Sequence, residues 1–161
     1  MKWRETVQGQ LATEADELSS AGNHVGALAL LEQALAFNTK DPVVLVYRGR
    51  ELHSLERYDE AEQSLRDALA IDDNLTHAWN ELGMLMESKE AFEEAAFCFE
   101  QSAKLSPNVD VLTMLANMQL AFDPQKSVEN AKRALSFDPD WDEAQTILKS
   151  AKRQIRERGE E

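Results

Sequence analysis

Cysteine is nearly absent from this chain, whose single cysteine is Cys98. One thiol cannot form an intrachain disulfide, and it cannot build the thiolate cluster that holds zinc or an iron–sulfur centre. We therefore expect Cys98 to serve as a small, partly buried apolar residue.

Long apolar runs are absent as well, since no stretch approaches the roughly 18 uninterrupted apolar residues of a membrane-spanning helix. The first five residues lack the apolar segment of a secretory signal. No glycine/serine-rich or proline-rich linker interrupts the chain. We expect a cytoplasmic protein of one domain, without membrane insertion.

Positive charge is scarce, because 17 lysines and arginines stand against 30 acids and give a net charge of −13. Such a chain repels a phosphate backbone, so we expect no nucleic acid partner. Five cations nevertheless cluster late in the sequence: Lys149, Lys152, Arg153, Arg156 and Arg158. They are either cations that favour the C-terminal end of a last helix or a docking patch for an acidic partner.

Catalytic motifs are missing too. The sequence has no Gly-x-Gly-x-x-Gly, phosphate loop, His-Glu-x-x-His or Gly-x-Ser-x-Gly. None of the three histidines lies one helical turn from another, so no local metal pair forms. An enzyme would need an unexpected cluster of His53, His77 and Glu81. We predict no enzymatic activity, no cofactor and no metal site.

Repetition is what the sequence does contain. Ala27, Ala61 and Ala95 stand 34 residues apart, each within a helix-turn-helix pattern. The clearest copy reads Trp79-x-x-Leu82-Gly83-x-x-Met86, then Ala95-x-x-x-Phe99, then Pro107. Glycine costs about 1 kcal/mol in a helix interior, so Gly49 and Gly83 at one slot indicate a close crossing of two helices.

This pattern resembles the tetratricopeptide repeat family. The resemblance implies an all-α superhelix: a right-handed solenoid of antiparallel helix pairs with a C-terminal capping helix. We expect one domain over 1–161, with repeats at about 8–41, 42–75, 76–109 and 110–139 and a capping helix at about 140–157 that begins with Asp140 as its cap. The periodicity predicts helices at about 8–21, 24–37, 42–55, 58–71, 76–89, 92–105, 109–122, 125–137 and 140–157.

The resemblance also implies that the first helix of each hairpin lines a concave groove, which binds a protein or peptide segment of apolar or amphipathic character. The chain would then act as an adaptor or scaffold. The predicted groove residues are Val43, Val46, Tyr47, Arg50, His53, His77, Asn80, Met84, Val111, Met114, Leu115 and Met118. Arg50 is the one strong cation among them and could pair with a ligand carboxylate.

One branch of this family grips the acidic tail of heat-shock chaperones with a clamp of lysine, asparagine and arginine. The matching slots here hold Ala12, Asp16, Tyr47, His77 and Glu81, so the clamp is lost.

The first helix of the fourth unit is apolar on nearly every side, from Val111 to Phe122. Either the final helix covers it, or it exposes an apolar patch of the kind that marks an interaction site. In the second case the chain could form a homo-oligomer through this unit, as a structural scaffold subunit.

Overall fold

The computed structural model describes residues 6–38 and 40–159, and within these residues it contains nine α-helices and no strand. The helices are α1 (Val7–Ser20), α2 (His24–Phe37), α3 (Pro42–Ser54), α4 (Tyr58–Ile71), α5 (Thr76–Ser88), α6 (Phe92–Leu105), α7 (Val109–Gln119), α8 (Pro124–Phe137) and α9 (Asp142–Arg158). The predicted bounds agree with these to within three residues at each end, and the predicted all-α fold of antiparallel helix pairs with an odd last helix is confirmed.

The chain divides into two compact units, one up to Leu85 and one from Met86 onward. In the first unit, α1 pairs with α2 and α3 pairs with α4, and α3 also contacts α1 and α2. In the second unit, α7 contacts α6, α8 and α9, and α9 packs mainly on α8. The predicted single domain and repeat boundaries stay predictions. No helix in the described part of the chain is long and apolar enough to cross a bilayer.

The turn inside each of the first three hairpins has the same backbone geometry. Gly22, Glu56 and Glu90 occupy one slot of the repeat, and all three adopt a left-handed conformation, with φ between 58° and 79°. The next amide donates to a carbonyl five residues back, as Asn23 does to Leu18 at 2.8 Å. This Schellman geometry satisfies the last carbonyls of the first helix and reverses the chain.

A close approach between α3 and α4 explains the small residue at position 49. A Cβ atom added to Gly49 would lie 2.6 Å from Cγ of Leu65 and 3.3 Å from the carbonyl oxygen of Ala61. Ala61 and Leu65 are themselves completely buried. The helix crossing predicted at this slot is therefore present.

The fourth hairpin makes its crossing one residue earlier than its sequence suggests. Asn117, which follows Gly83 by one period of 34 residues and so matches the small-residue slot, is exposed, whereas Ala116 is completely buried. The buried hydroxyl of Ser127 donates to the carbonyl of Ala116 at 2.7 Å, so a serine in the alanine slot is tolerated because it finds an acceptor. Ala116 also packs with Ala131 and Ile147.

The final helix begins two residues later than predicted, and the prediction that Asp140 caps it is wrong. The cap residue is Trp141, whose side chain makes no capping hydrogen bond. Asp140 instead belongs to a turn in which its amide donates to Oδ1 of Asp138 at 3.0 Å. Asp142 and Glu143 lie in the first helical turn, as expected, where carboxylates complement the helix dipole.

Candidate functional site

The third helix carries the central residues of a polar group in the first unit, Arg50 and Glu51. Asp41 fixes its start by accepting hydrogen bonds from the amides of Val43 and Val44, and Pro42 occupies the first turn. At Gly49, one side of the helix packs closely against α4. Tyr47 and Arg50 lie one helical turn apart, and both are half-buried.

Arg50 is bound on three sides. Its Nη2 donates to Oδ1 of Asp16 at 2.9 Å, its Nε donates to Oε1 of Glu51 at 3.0 Å, and its guanidinium lies 5.0 Å from the ring centroid of Tyr47. Burial alone would lower the pKa of Arg50, but the hydrogen bonds to Asp16 and Glu51 outweigh it and raise that pKa. The side chain that could have met a ligand carboxylate already has two carboxylate partners.

Glu51 is the central residue of this group, and it is completely buried. Its Oε1 accepts from Arg50, and its Oε2 lies 2.8 Å from Nδ1 of His24 on α2. Both carboxylate oxygens are thus satisfied, which a buried charge requires. Together with the Asp16–Arg50 pair, this network ties α3 to α1 and to α2.

Glu81 adds a third carboxylate to the same region, after Asp16 and Glu51, from the part of α5 that belongs to the first unit. Burial raises the pKa of Glu81 above its ordinary value; the positive charges of Arg50 and His77 lower it, and Glu51 raises it further. Beside it, Oδ1 of Asn80 is buried and has no hydrogen-bond partner among the residues that the structure describes. In this region the carboxyl groups of Asp16, Glu51 and Glu81 outnumber the one guanidinium, that of Arg50.

His53 packs against an aromatic neighbour of the first unit. Its ring meets the ring of Tyr58 edge-on, with centroids 5.8 Å apart, and burial lowers the pKa of His53. Among the described residues, no three His, Cys, Asp or Glu side chains come together in a way that could hold a metal ion.

The predicted groove residues differ widely in exposure. In the first unit, Val43 and Met84 are 40% and 38% exposed, and Val46 is buried at 7%. His77 is exposed, while the remaining four are half-buried: Tyr47, Arg50, His53 and Asn80. Five of these residues, together with Glu81, are called the α3–α5 face: Val43, Tyr47, Arg50, His77, Glu81 and Met84.

In the second unit, most predicted groove residues are buried by their own neighbours. Val111, Leu115 and Met118 are 1%, 1% and 4% exposed, and only Met114 reaches 36%. Because α7 contacts α6, α8 and α9, the last helix does cover part of it. Phe122, just past the end of α7, is 41% exposed. Self-association through α7 would rest on Met114 and Phe122.

Sequence reasoning missed Glu51, although the repeat itself contained a signal. Position 51 precedes Leu85 by 34 residues, one period, and both side chains are completely buried. A glutamate in the slot of a buried leucine requires buried partners. Asp16 and Arg50 are likewise one period apart, so their contact joins the same slot of successive repeats.

Two family models match this sequence, and both describe the tetratricopeptide repeat. One covers residues 18–82 and the other covers residues 76–109, so together they cover more than half of the chain. Anaphase-promoting complex subunit 3 of Schizosaccharomyces pombe is 26% identical over 117 residues, which are 71% of this chain and 18% of that protein. The chain spans less than a third of the length of the curated relatives it matches.

Solved structures with the same fold have low sequence identity. Pseudomonas aeruginosa pilF matches with a TM-score of 0.84 and 17% identity, over 97% of this chain and 72% of that one. The first TPR of Spaghetti (RPAP3), bound to the HSP90 peptide SRMEEVD, matches with a TM-score of 0.68 and 20% identity, over 71% of this chain and 92% of that one. With its 34-residue period, its paired helices and the two family models in agreement, the chain belongs to the tetratricopeptide repeat family.

Proposed function

We propose that this chain is a non-catalytic adaptor module that binds a short segment of a partner protein on the α3–α5 face. Domains of this family are protein-interaction modules, and this face offers exposed or half-buried apolar anchors in Val43, Tyr47 and Met84. A few such anchors, rather than total area, carry most of the affinity in an interface of this kind.

The observation that carries the proposal is the pairing of Arg50 with Asp16 and Glu51. An acidic ligand would have to displace an internal carboxylate from Arg50, while Glu81 repels it. A segment that places a lysine or arginine near Glu81 and an apolar side chain on Tyr47 or Met84 meets no such cost. We therefore propose an apolar or amphipathic segment that carries positive charge.

The acidic peptide SRMEEVD, bound by the first TPR of Spaghetti (RPAP3), is the useful contrast. On the α3–α5 face, the single lysine or arginine is Arg50, and it is already neutralised. We expect this chain to reject such a peptide because no free cation on the face compensates for the hydration that the peptide's carboxylates lose on binding.

Selection from a displayed random peptide library tests the proposal. The expected consensus has apolar residues next to lysine or arginine. Binding of the selected peptide should fall when Tyr47→Ala and Met84→Ser are combined, and it should persist in a control with Val25→Ser and Phe97→Ser. The control residues are 68% and 53% exposed and lie on other helices. A consensus of acidic carboxyl termini, or equal loss in both variants, would contradict the proposal.

A further inference from the structure

A surface cleft of about 380 Å³ lies in the second unit, between the turn that joins α5 to α6 and the turn that joins α7 to α8. Two phenylalanines, three glutamates and two alanines line it, and the larger side chains are Phe92, Phe122, Glu90, Glu93 and Glu94. These residues are called the turn cleft. Within the described part of the chain, no lysine, arginine or histidine contributes to its lining.

The two phenylalanines keep much of their surface in contact with solvent. Phe92 and Phe122 are each 41% exposed. The slot of Phe92 recurs one and two periods earlier, at Tyr58 and His24, and both of those rings are half-buried. His24 contacts a carboxylate of α3, and Tyr58 packs against a histidine ring of the same helix. Phe92 is therefore the member of this series with the most ring surface left for a ligand.

The carboxylates give the turn cleft a negative charge that the neighbouring helix end does not cancel. Glu93 and Glu94 lie in the first turn of α6, whose positive end amounts to about half an elementary charge. Glu90 precedes the helix, in a turn with φ 58°. Glu94 takes part in another interaction. Glu90 and Glu93 alone still outweigh the helix end, and both are exposed.

Aromatic rings and carboxylates in one cleft are complementary to a cationic side chain. The face of an aromatic ring attracts a cation, and a carboxylate accepts charge-assisted hydrogen bonds from it. A purely apolar ligand would desolvate Glu90 and Glu93 without compensation. Arginine fits better than lysine, because its planar guanidinium stacks on a ring while its edge donates to a carboxylate, and because it is less strongly hydrated than an ammonium group.

We infer that the turn cleft binds an arginine side chain of a partner protein. The net charge of −13 attracts a basic segment to the chain as a whole, and it disfavours a second copy of this chain as the occupant. The turn cleft shares no residue with the α3–α5 face, so it would be a second contact point and not a part of the proposed groove.

Titration with a short peptide, followed by the backbone amide signals of the isotope-labelled full chain in NMR spectra, tests the inference. The probe is Gly-Arg-Gly with both termini capped, so that the guanidinium is its only charge. Two comparison peptides replace arginine by citrulline, which has nearly the same shape without the charge, or by leucine, which is apolar. The dispersion of each spectrum also checks that every variant is folded.

The charge variant combines Glu90→Gln with Glu93→Gln. Its matched control combines Glu129→Gln with Glu143→Gln, which changes the net charge equally at exposed positions of α8 and α9. Glu143 lies in the first turn of its helix, as Glu93 does, so the two variants weaken the same kind of helix-dipole interaction.

We expect Gly-Arg-Gly to shift the amide signals of residues 90–93 and 121–122, and to bind about fivefold or more tightly than either comparison peptide. The charge variant should lose about fivefold in affinity, and its control should change by less than about twofold. Phe122→Ser should weaken binding by a similar factor, whereas Phe137→Ser, at a position 56% exposed at the end of α8, should not.

Equal binding of the leucine or citrulline peptide, or equal loss in the charge variant and its control, would overturn the inference. Shifts of the same amide signals with protein concentration alone would also overturn it, because a second copy would then cover the turn cleft. Peptide-induced shifts confined to the α3–α5 face would contradict this inference while supporting the proposed function. The variant Tyr47→Ala with Met84→Ser should bind Gly-Arg-Gly at the turn cleft normally, so the two proposals fail separately.

Discussion

At the scale of single residues, the first unit is organised by charges that pair inside the molecule. Arg50 and Glu51 are adjacent in sequence but take their other partners from different helices, Asp16 on α1 and His24 on α2. Their exposure differs as well, because Glu51 is completely buried while Arg50 is half-exposed. Asp16 and Glu51 together occupy the arginine that a ligand would otherwise meet.

Replacing Glu51 by alanine should destabilise the protein by about 1.5–3 kcal/mol, because it removes the buried carboxylate that contacts Arg50 and His24, although Arg50 keeps its bond to Asp16. Urea unfolding followed by circular dichroism measures the change. The matched control is Glu60→Ala, which removes an exposed partner of Arg57 and should leave stability unchanged. If the two variants unfolded alike, the buried network would not hold the helices together.

Glu81 makes stability depend on pH in a direction opposite to that of an ordinary salt-bridged acid. Its pKa is raised in the folded state, so the folded chain binds this proton more tightly than the unfolded chain does. Stability from this group is therefore present below the ordinary glutamate pKa of about 4.3 and is lost as the pH rises through the folded pKa.

Glu81→Gln should consequently stabilise the protein at neutral pH and have little effect below about pH 4. Urea midpoints of the variant and the unaltered chain, measured across this pH range, give the difference directly. Glu93→Gln, an exposed acid on α6, serves as the control and should show no such trend. A difference that shrinks as the pH rises would show that the carboxylate of Glu81 is stabilised rather than penalised.

At the scale of helices, close packing at the small-residue slot fixes each hairpin. A methyl group on Gly49 would overlap Leu65, so Gly49→Ala should cost about 1–3 kcal/mol through overpacking. Thermal or urea unfolding measures this. Gly22→Ala is an informative comparison, because a Cβ there meets no atom within 4 Å and only its left-handed backbone, φ 79°, is penalised.

A double-mutant cycle between Gly49 and Leu65 distinguishes a local clash from a general loss of helix packing. Leu65→Ala alone should cost about 2–5 kcal/mol by leaving a cavity, and adding it to Gly49→Ala should cost less than the sum of the two. Strict additivity would mean that the added methyl group does not press on Leu65.

At the scale of the whole molecule, the net charge of −13 and the burial of α7 both oppose self-association. We expect a monomer whose mass, measured by sedimentation equilibrium, does not change over the micromolar range. A dimer abolished by combining Met114→Glu and Phe122→Glu would instead support the scaffold subunit that the apolar fourth repeat suggested. Leu115 is unsuitable for such a test because it is buried, and a charge there would disrupt the second unit.

The sequence alone determined the repeat, the helices and the kind of packing at Gly49, because helix periodicity and turn geometry depend on residues within one period. It also predicted the loss of the chaperone clamp. It did not predict that Glu56 and Glu90, in the turns of the second and third hairpins, adopt the left-handed conformation of Gly22.

Only the tertiary structure decided which side chains remain available. Arg50 is paired, Glu51 is buried, and Val111 and Leu115 belong to the interior of the second unit, whereas Val43 and Met84 are exposed. The physical reason is that the burial and charge pairing of a side chain depend on which residue of a neighbouring repeat, or of the last helix, lies against it. A side chain's position in its own helix does not contain that information.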